Sequence, residues 1–249
     1  MTILIVGGTG ATGRHLVKFL LDGGHSVRAI VRSPQKLIDF LGGATENLTQ
    51  IQAAFLDLSD ADMEKYTQDC DAIASCLGHN LTFKGIYGKP RRLVTDSVRR
   101  LCQAVESNQP GKPVRFVLMN TTGNRNRDLD EPISVAQRMV IALLRLLLPP
   151  HVDNEKAADY LRIQVGQEHP QIEWAAVRPD GLIDENEVSA YEIHPSPIRS
   201  AIFDAGQVSR INVAHFMADL ITKKDLWQKW KGQMPVIYSS APEKKEQQP

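Results

Sequence analysis

Gly7, Gly10 and Gly13 stand three residues apart in ILIVGGTGATGRHLVKFLL, just after four apolar residues and just before a helical pattern. That spacing receives the diphosphate of a dinucleotide. Gly7 lets the chain turn off the strand, Gly10 removes a side chain where the pyrophosphate approaches the backbone, and Gly13 lets helix and sheet pack closely. Thr9, Ala11 and Thr12 complete the loop, and the helix start offers its N–H groups to negative charge.

The next strand, SVRAIVR, carries the second chemical signal. An acidic residue about 20 positions beyond the glycine loop accepts hydrogen bonds from the ribose hydroxyls of NAD. This chain has Arg32 there, with Ser33 and Lys36 close by. A guanidinium fork suits a 2′-phosphate, so the expected coenzyme is NADP(H); the competing reading is a solvated cation at a strand end.

The elements that must position these residues follow from periodicity. Residues 3–6 are apolar without alternation, as in a strand buried on both faces, and residues 11–21 supply the covering helix. Further strands are expected at 51–56, 71–77, 114–119 and 172–179, with a last one at 236–238, and helices at 34–41, 60–66, 91–107, 133–148, 154–168 and 212–223. The loop GHNLTFKGIYGKP follows the fourth strand, and PPHVD separates two helices. Alternating strands and helices define an α/β fold, a doubly wound parallel sheet of the Rossmann type with a small C-terminal elaboration on the substrate side. Residues 1–239 form one domain in this reading, and 240–249, without apolar residues past Ala241, form a disordered tail. Ligands collect at strand C-termini, which nominates the glycine loop, Arg32, Asp57, residues 77–80 and residues 120–123.

Composition narrows the classes. Lysine plus arginine and aspartate plus glutamate are 29 each in 249 residues, so no global field draws the chain to nucleic acid. Cys70, Cys76 and Cys102 lack CxxC spacing, and the seven histidines lack metal-ligand spacing, so no metal is expected. The first strand begins almost at Met1 with no signal sequence before it, which makes a reducing cytoplasm the default expectation. The apolar run 139–150 is too short to span a bilayer. It reads as a buried helix or one packing on another subunit, leaving a homo-oligomer open, and less readily as a membrane-surface helix.

GGTGATG after the first strand, Asp57–Leu58 after the third, LGHN after the fourth, NTTG after the fifth and VRPDG after the sixth together resemble the atypical short-chain dehydrogenase/reductases. The similarity is nearest to the NmrA-like and biliverdin or flavin reductase groups, and runs to about residue 220. It implies Asp57 and the Leu58 backbone at the adenine, Leu77 and Gly78 at the adenosine ribose, Thr121 and Thr122 at the family's serine positions, and Arg178 and Pro179 beside the nicotinamide. In VSRINVAHFMADLI, Asn212 stands where the family often has aspartate.

Reductases of the larger family set a tyrosine four residues before a lysine on one helix, the lysine holding the nicotinamide ribose and the tyrosine delivering the proton. Lys156 fits the lysine, but Val152 stands in the tyrosine position. Tyr160 lies one turn the other way and reads as packing; His79, His151, Tyr87 and water remain as proton sources. Three functions compete. The first is an NADP(H)-dependent oxidoreductase that passes a hydride to a small, aromatic or conjugated acceptor, with Lys156 on the ribose, Thr122 orienting the acceptor, and His79 and Tyr87 lining its site. The second is a non-catalytic NADP(H) sensor, and the third an assembly protein docking through the apolar helix near residues 139–148.

Overall fold

A computed structural model describes residues 1–79 and 82–240 of the chain. Eight strands form one sheet: β1 (Thr2–Val6), β2 (Ser26–Val31), β3 (Leu48–Gln52), β4 (Ala72–Ser75), β5 (Val114–Met119), β6 (Ile172–Pro179), β8 (Tyr191–His194) and β10 (Val236–Ser239). Their order is β3-β2-β1-β4-β5-β6-β10-β8. All neighbours are parallel except β8, which runs antiparallel to β10 at the edge. A separate ribbon pairs β7 (Gly181–Ile183) with β9 (Gln207–Ser209).

The central strands are apolar on both faces because helices cover both. Ile3 and Ile5 of β1 pack with Leu16, Val17 and Leu20 of α1 (Gly13–Asp22), with Phe216 and Leu220 of α8 (Arg210–Thr222), and with Trp227 of α9 (Lys224–Trp230). Leu4 and Val6 face the other layer, which holds Met63 of α3 (Asp60–Thr67), Val98 and Leu101 of α5 (Leu93–Asn108), and Ala157 of α7 (Pro149–Asp159). This alternation is the period-2 signature of a strand buried between two layers.

The expected architecture is present, and its edges differ from the sequence reading. β3 covers 48–52 rather than 51–56, and Phe55–Asp57 form a single 3-10 turn. β3 is half-buried and polar, so its edge position hides the apolar signal on which the reading relied. The two helices are separate as expected, with the break at Leu148, but PPHVD is the first turn of α7 instead of a linker: Pro149 and Pro150 open that helix, where a missing N–H costs nothing. The helix continues through a π-helical turn, Tyr160–Val165, closed by the Gly166 amide donating to Leu161. The loop after β4 contains a short helix, α4 (Phe83–Tyr87). The expected tail at 241–249 and the cleft position Asn80 lie outside the described residues.

Capping explains the sharper boundaries. Ser59 and Asp62 form a reciprocal capping box at α3, and Ser209 caps α8 through the Asn212 amide. α2 (Pro34–Leu41) starts on proline and ends on Gly42 in the left-handed region.

Candidate coenzyme and acceptor site

The strand order reverses between β1 and β4, so the loops following them diverge and leave a crevice above their C-terminal ends. The glycine loop fills one wall of it. Gly7 has φ +80°, and a Cβ there would come 2.6 Å from the Cys76 carbonyl, so only glycine lets the loop lie against the end of β4. A Cβ on Gly13 would run into the Gly7 carbonyl. On Gly10 it would meet only that carbonyl, at 3.1 Å, which leaves the space over the loop open. Among the described residues nothing accepts from the amides of Ala11, Thr12 or Gly13, and Thr12 makes no side-chain cap. Open amides on the positive end of a helix dipole are an anion cradle. The donor set fits a diphosphate.

Arg32, Ser33 and Lys36 are exposed just past β2. Arg14, which sequence reasoning passed over, stands in the first turn of α1. Its guanidinium lies 4.8 Å from the Phe40 ring centroid on α2, and its Nε is buried without a partner. A buried orphan donor at the contact of α1 with α2, and exposed cations at the start of α2, fit a phosphate ester.

Asp57 is exposed at the end of its 3-10 turn. The turn is pinned from α5, where Arg100 donates to the carbonyls of Leu56 and Leu58 and pairs with Asp60 at 2.9 Å. Leu77 and Gly78 follow β4 beside the Gly7 contact, and the Gly78 Cβ direction is open.

At the end of β5 the backbone is held by polar groups. Asn120 accepts from the Thr121 amide at 2.8 Å and from Asn124 at 2.7 Å, and donates to the Asn154 carbonyl of α7 at 3.0 Å. Thr121 accepts the Gly123 amide at 3.3 Å. Thr122 is buried; its amide donates to the Pro179 carbonyl at 3.1 Å and its hydroxyl to Asp180 at 3.1 Å. Asp180 also accepts the Gly206 amide at 2.8 Å, tying β5 and β6 to the β7–β9 ribbon.

The start of α7 contributes two histidine–carboxylate contacts. His79 Nε2 lies 2.7 Å from Asp153, whose carboxylate also accepts the amides of Val94 and Thr95 at 2.8 and 3.0 Å. Asp153 therefore caps α5 from a neighbouring helix while holding the loop after β4. His151 sits against Gly123, where a Cβ would meet its Cε1 at 3.4 Å, and its Nε2 is 3.6 Å from Glu155. Arg145 of α6 (Val135–Leu147) grips Glu155 with two bonds of 2.8 Å. Burial opposes ionisation of Glu155, but the His151 ring and the Arg145 fork outweigh it and hold the carboxyl at about 2.

Lys156 is exposed on α7, between the buried Glu155 and Ala157, and pairs with no carboxylate among the described residues. Tyr87 is exposed on α4 and donates to the Leu147 carbonyl at 3.0 Å. Arg178 does not border the crevice. Its guanidinium is fully buried, bonded to Glu131 at 2.7 and 3.1 Å and to the carbonyls of Asn124, Pro195 and Met234. Burial raises Cys76 to about 12, Cys70 to about 11 and Tyr160 to about 12, so none of these offers an ionised nucleophile at neutral pH. Among the described residues no cluster of metal-ligating side chains occurs.

The sheet order, the glycine cradle and the polar strand ends define a Rossmann-type fold with a dinucleotide-binding crevice. The chain belongs to the NAD(P)H-binding family, whose pattern covers residues 7–224. No curated protein matches it by sequence. Solved structures share its fold: an oxidoreductase, ylbE, from Lactococcus lactis (19% identity, 96% of this chain and 91% of that one, TM-score 0.68); a short-chain dehydrogenase/reductase from Veillonella parvula in complex with NADP (16%, 96% and 95%, 0.67); and an anaerobilin reductase from Escherichia coli (16%, 100% and 100%, 0.65).

Proposed function

We infer that the protein is an NADP(H)-dependent reductase acting on a small acceptor with an aromatic or conjugated system. The observation that carries this reading is the exposed Arg32 just past β2, where an NAD-specific site has a carboxylate, together with the buried, unpartnered Nε of Arg14 at the contact of α1 with Phe40. When bound, the coenzyme supplies a hydride. The chain's residues do the rest. The amides of Ala11, Thr12 and Gly13 hold the diphosphate, Arg14 and Arg32 hold the 2′-phosphate, and Asp57 with the Leu58 backbone receives the adenine. Leu77 and Gly78 flank the ribose, while Thr121 and Pro179 border the nicotinamide. Thr122 aligns the acceptor and Lys156 serves the nicotinamide ribose, while His79 and Tyr87 lie on the acceptor side. Each of these assignments is tested by substitution.

With Val152 in the tyrosine position, the acceptor takes its proton from water or a histidine, which suits products that equilibrate readily with solvent. Two relatives support that chemistry in kind. A structure from Streptococcus pneumoniae is described as an NADH-flavin reductase, and the E. coli neighbour as an anaerobilin reductase. NADPH oxidation followed by absorbance against flavins, quinones and ketones tests the reading. Turnover with one class supports it; tight NADPH binding without turnover, the outcome Val152 favours, replaces it with an NADP(H) sensor.

A further inference from the structure

α6 covers almost nothing. Of its residues only Ile141 is buried, while Val135, Met139, Leu143, Leu146 and Leu147 are exposed, Leu146 at 79%. At helical spacing these five occupy one continuous stripe. Two other segments extend it. Ser200 donates to Gln137 at 3.0 Å, bringing Ile198 and Phe203, the latter 60% exposed, to the N-terminal end of α6. Tyr87 donates to Leu147 at 3.0 Å, bringing α4 with Phe83, 81% exposed, to its C-terminal end. Three chain segments far apart in sequence thus present large apolar side chains along one side of the molecule.

The two segments that build most of the stripe carry cations and no carboxylate. Aspartate and glutamate make up 29 of the 249 residues, yet none falls in 79–95 or 132–152. Lys89, Arg91, Arg92 and Arg138 are exposed there, and Arg91 donates to the Tyr87 carbonyl at 3.3 Å. Glu155 pairs with Arg145, Asp204 with Arg199 at 2.6 Å and Asp96 with the rim Arg92 at 3.7 Å. A second copy laid on this face would bring cations against cations. An anionic surface with an apolar interior meets both features at once. We propose that α6, flanked by α4 and the 198–203 segment, docks the protein peripherally on an anionic lipid bilayer, with the apolar stripe at the acyl boundary and the cations at the headgroups. No single helix among the described residues is long and apolar enough to cross a membrane; α6 and the following 149–165 segment pass that test only as a bent pair, and the second of them is packed into the protein through Asp153, Ala157 and Leu161, so the contact is interfacial.

Flotation of the full chain with phosphatidylcholine vesicles, with and without one third phosphatidylglycerol, tests this independently of any turnover. The expected result is binding to the anionic vesicles only, weakened by added salt, and about tenfold weaker in Leu146→Glu, with NADPH affinity unchanged. Arg138→Glu, an exposed rim change, weakens it in the same direction should Leu146→Glu fold poorly. Absence of binding to anionic vesicles, or equal binding to neutral ones, overturns the proposal. A dimer in sedimentation that Leu146→Glu dissociates, without vesicle binding, assigns the face to a second copy instead.

Discussion

Arg32 and Arg14 differ in how they were found, and the difference is physical. Arg32 stands at a fixed distance past the glycine loop, so its role is readable along the chain, whereas Arg14 matters because α2 folds its Phe40 over the guanidinium and leaves Nε buried. Arg32→Glu is expected to lower NADPH affinity by about a hundredfold while NADH affinity changes little, as loss of a charge-assisted contact of roughly 2–3 kcal/mol requires; titration calorimetry with both coenzymes measures it. Glu155 gives a pH prediction. Its folded value, about 2, lies below the ordinary 4.5, so its contribution is complete above that ordinary value and is lost as pH falls toward 2. The half-exposed Arg145 reduces the magnitude to roughly 1–2 kcal/mol. Denaturant melts of Glu155→Gln are expected to show a flatter acid limb between those values than the parent protein. A parallel pair of curves overturns the assignment.

Elements were legible where their signals are local. β1, the glycine loop and α1 lie within 22 residues, and every glycine constraint in them is visible in GGTGATG. α9 was invisible because a seven-residue helix has no room for periodicity; it is fixed by Trp227 and Trp230 entering the core. β7 and β9 pair with each other across 23 intervening residues, 184–206, and carry no strand signature of their own. Asp153 was passed over for the same reason as Arg14: its partners His79, Val94 and Thr95 are more than 50 positions away. Since it caps α5 and anchors the loop after β4 together, Asp153→Ala is expected to destabilise the protein by about 2–3 kcal/mol, more than a single surface cap. Thermal unfolding measures that, and a shift no larger than that of Ser134→Ala, which removes the lone cap of α6, counts against the double role.

For the whole molecule, the general α/β plan followed from alternation of strand and helix, while the split between crevice-lining and structural polar groups did not. Arg178 shows why. VRPDG ends a strand at the coenzyme side, and only the folded chain reveals that this guanidinium turns inward to Glu131. Breaking that pair by Glu131→Gln leaves an uncompensated buried charge and is expected to cost about 3–5 kcal/mol, whereas exposed pairs such as Lys18–Asp22 cost little. Urea denaturation of both variants gives the comparison, and equal midpoints would refute it.

The same guanidinium sets an order on biosynthesis. Its ion partner Glu131 and the Asn124 carbonyl precede it in the chain, whereas the Pro195 and Met234 carbonyls follow, so only part of its bonding set exists when β6 leaves the ribosome. A chain halted before Met234 keeps the ion pair to Glu131 but leaves the guanidinium Nε without its carbonyl acceptor.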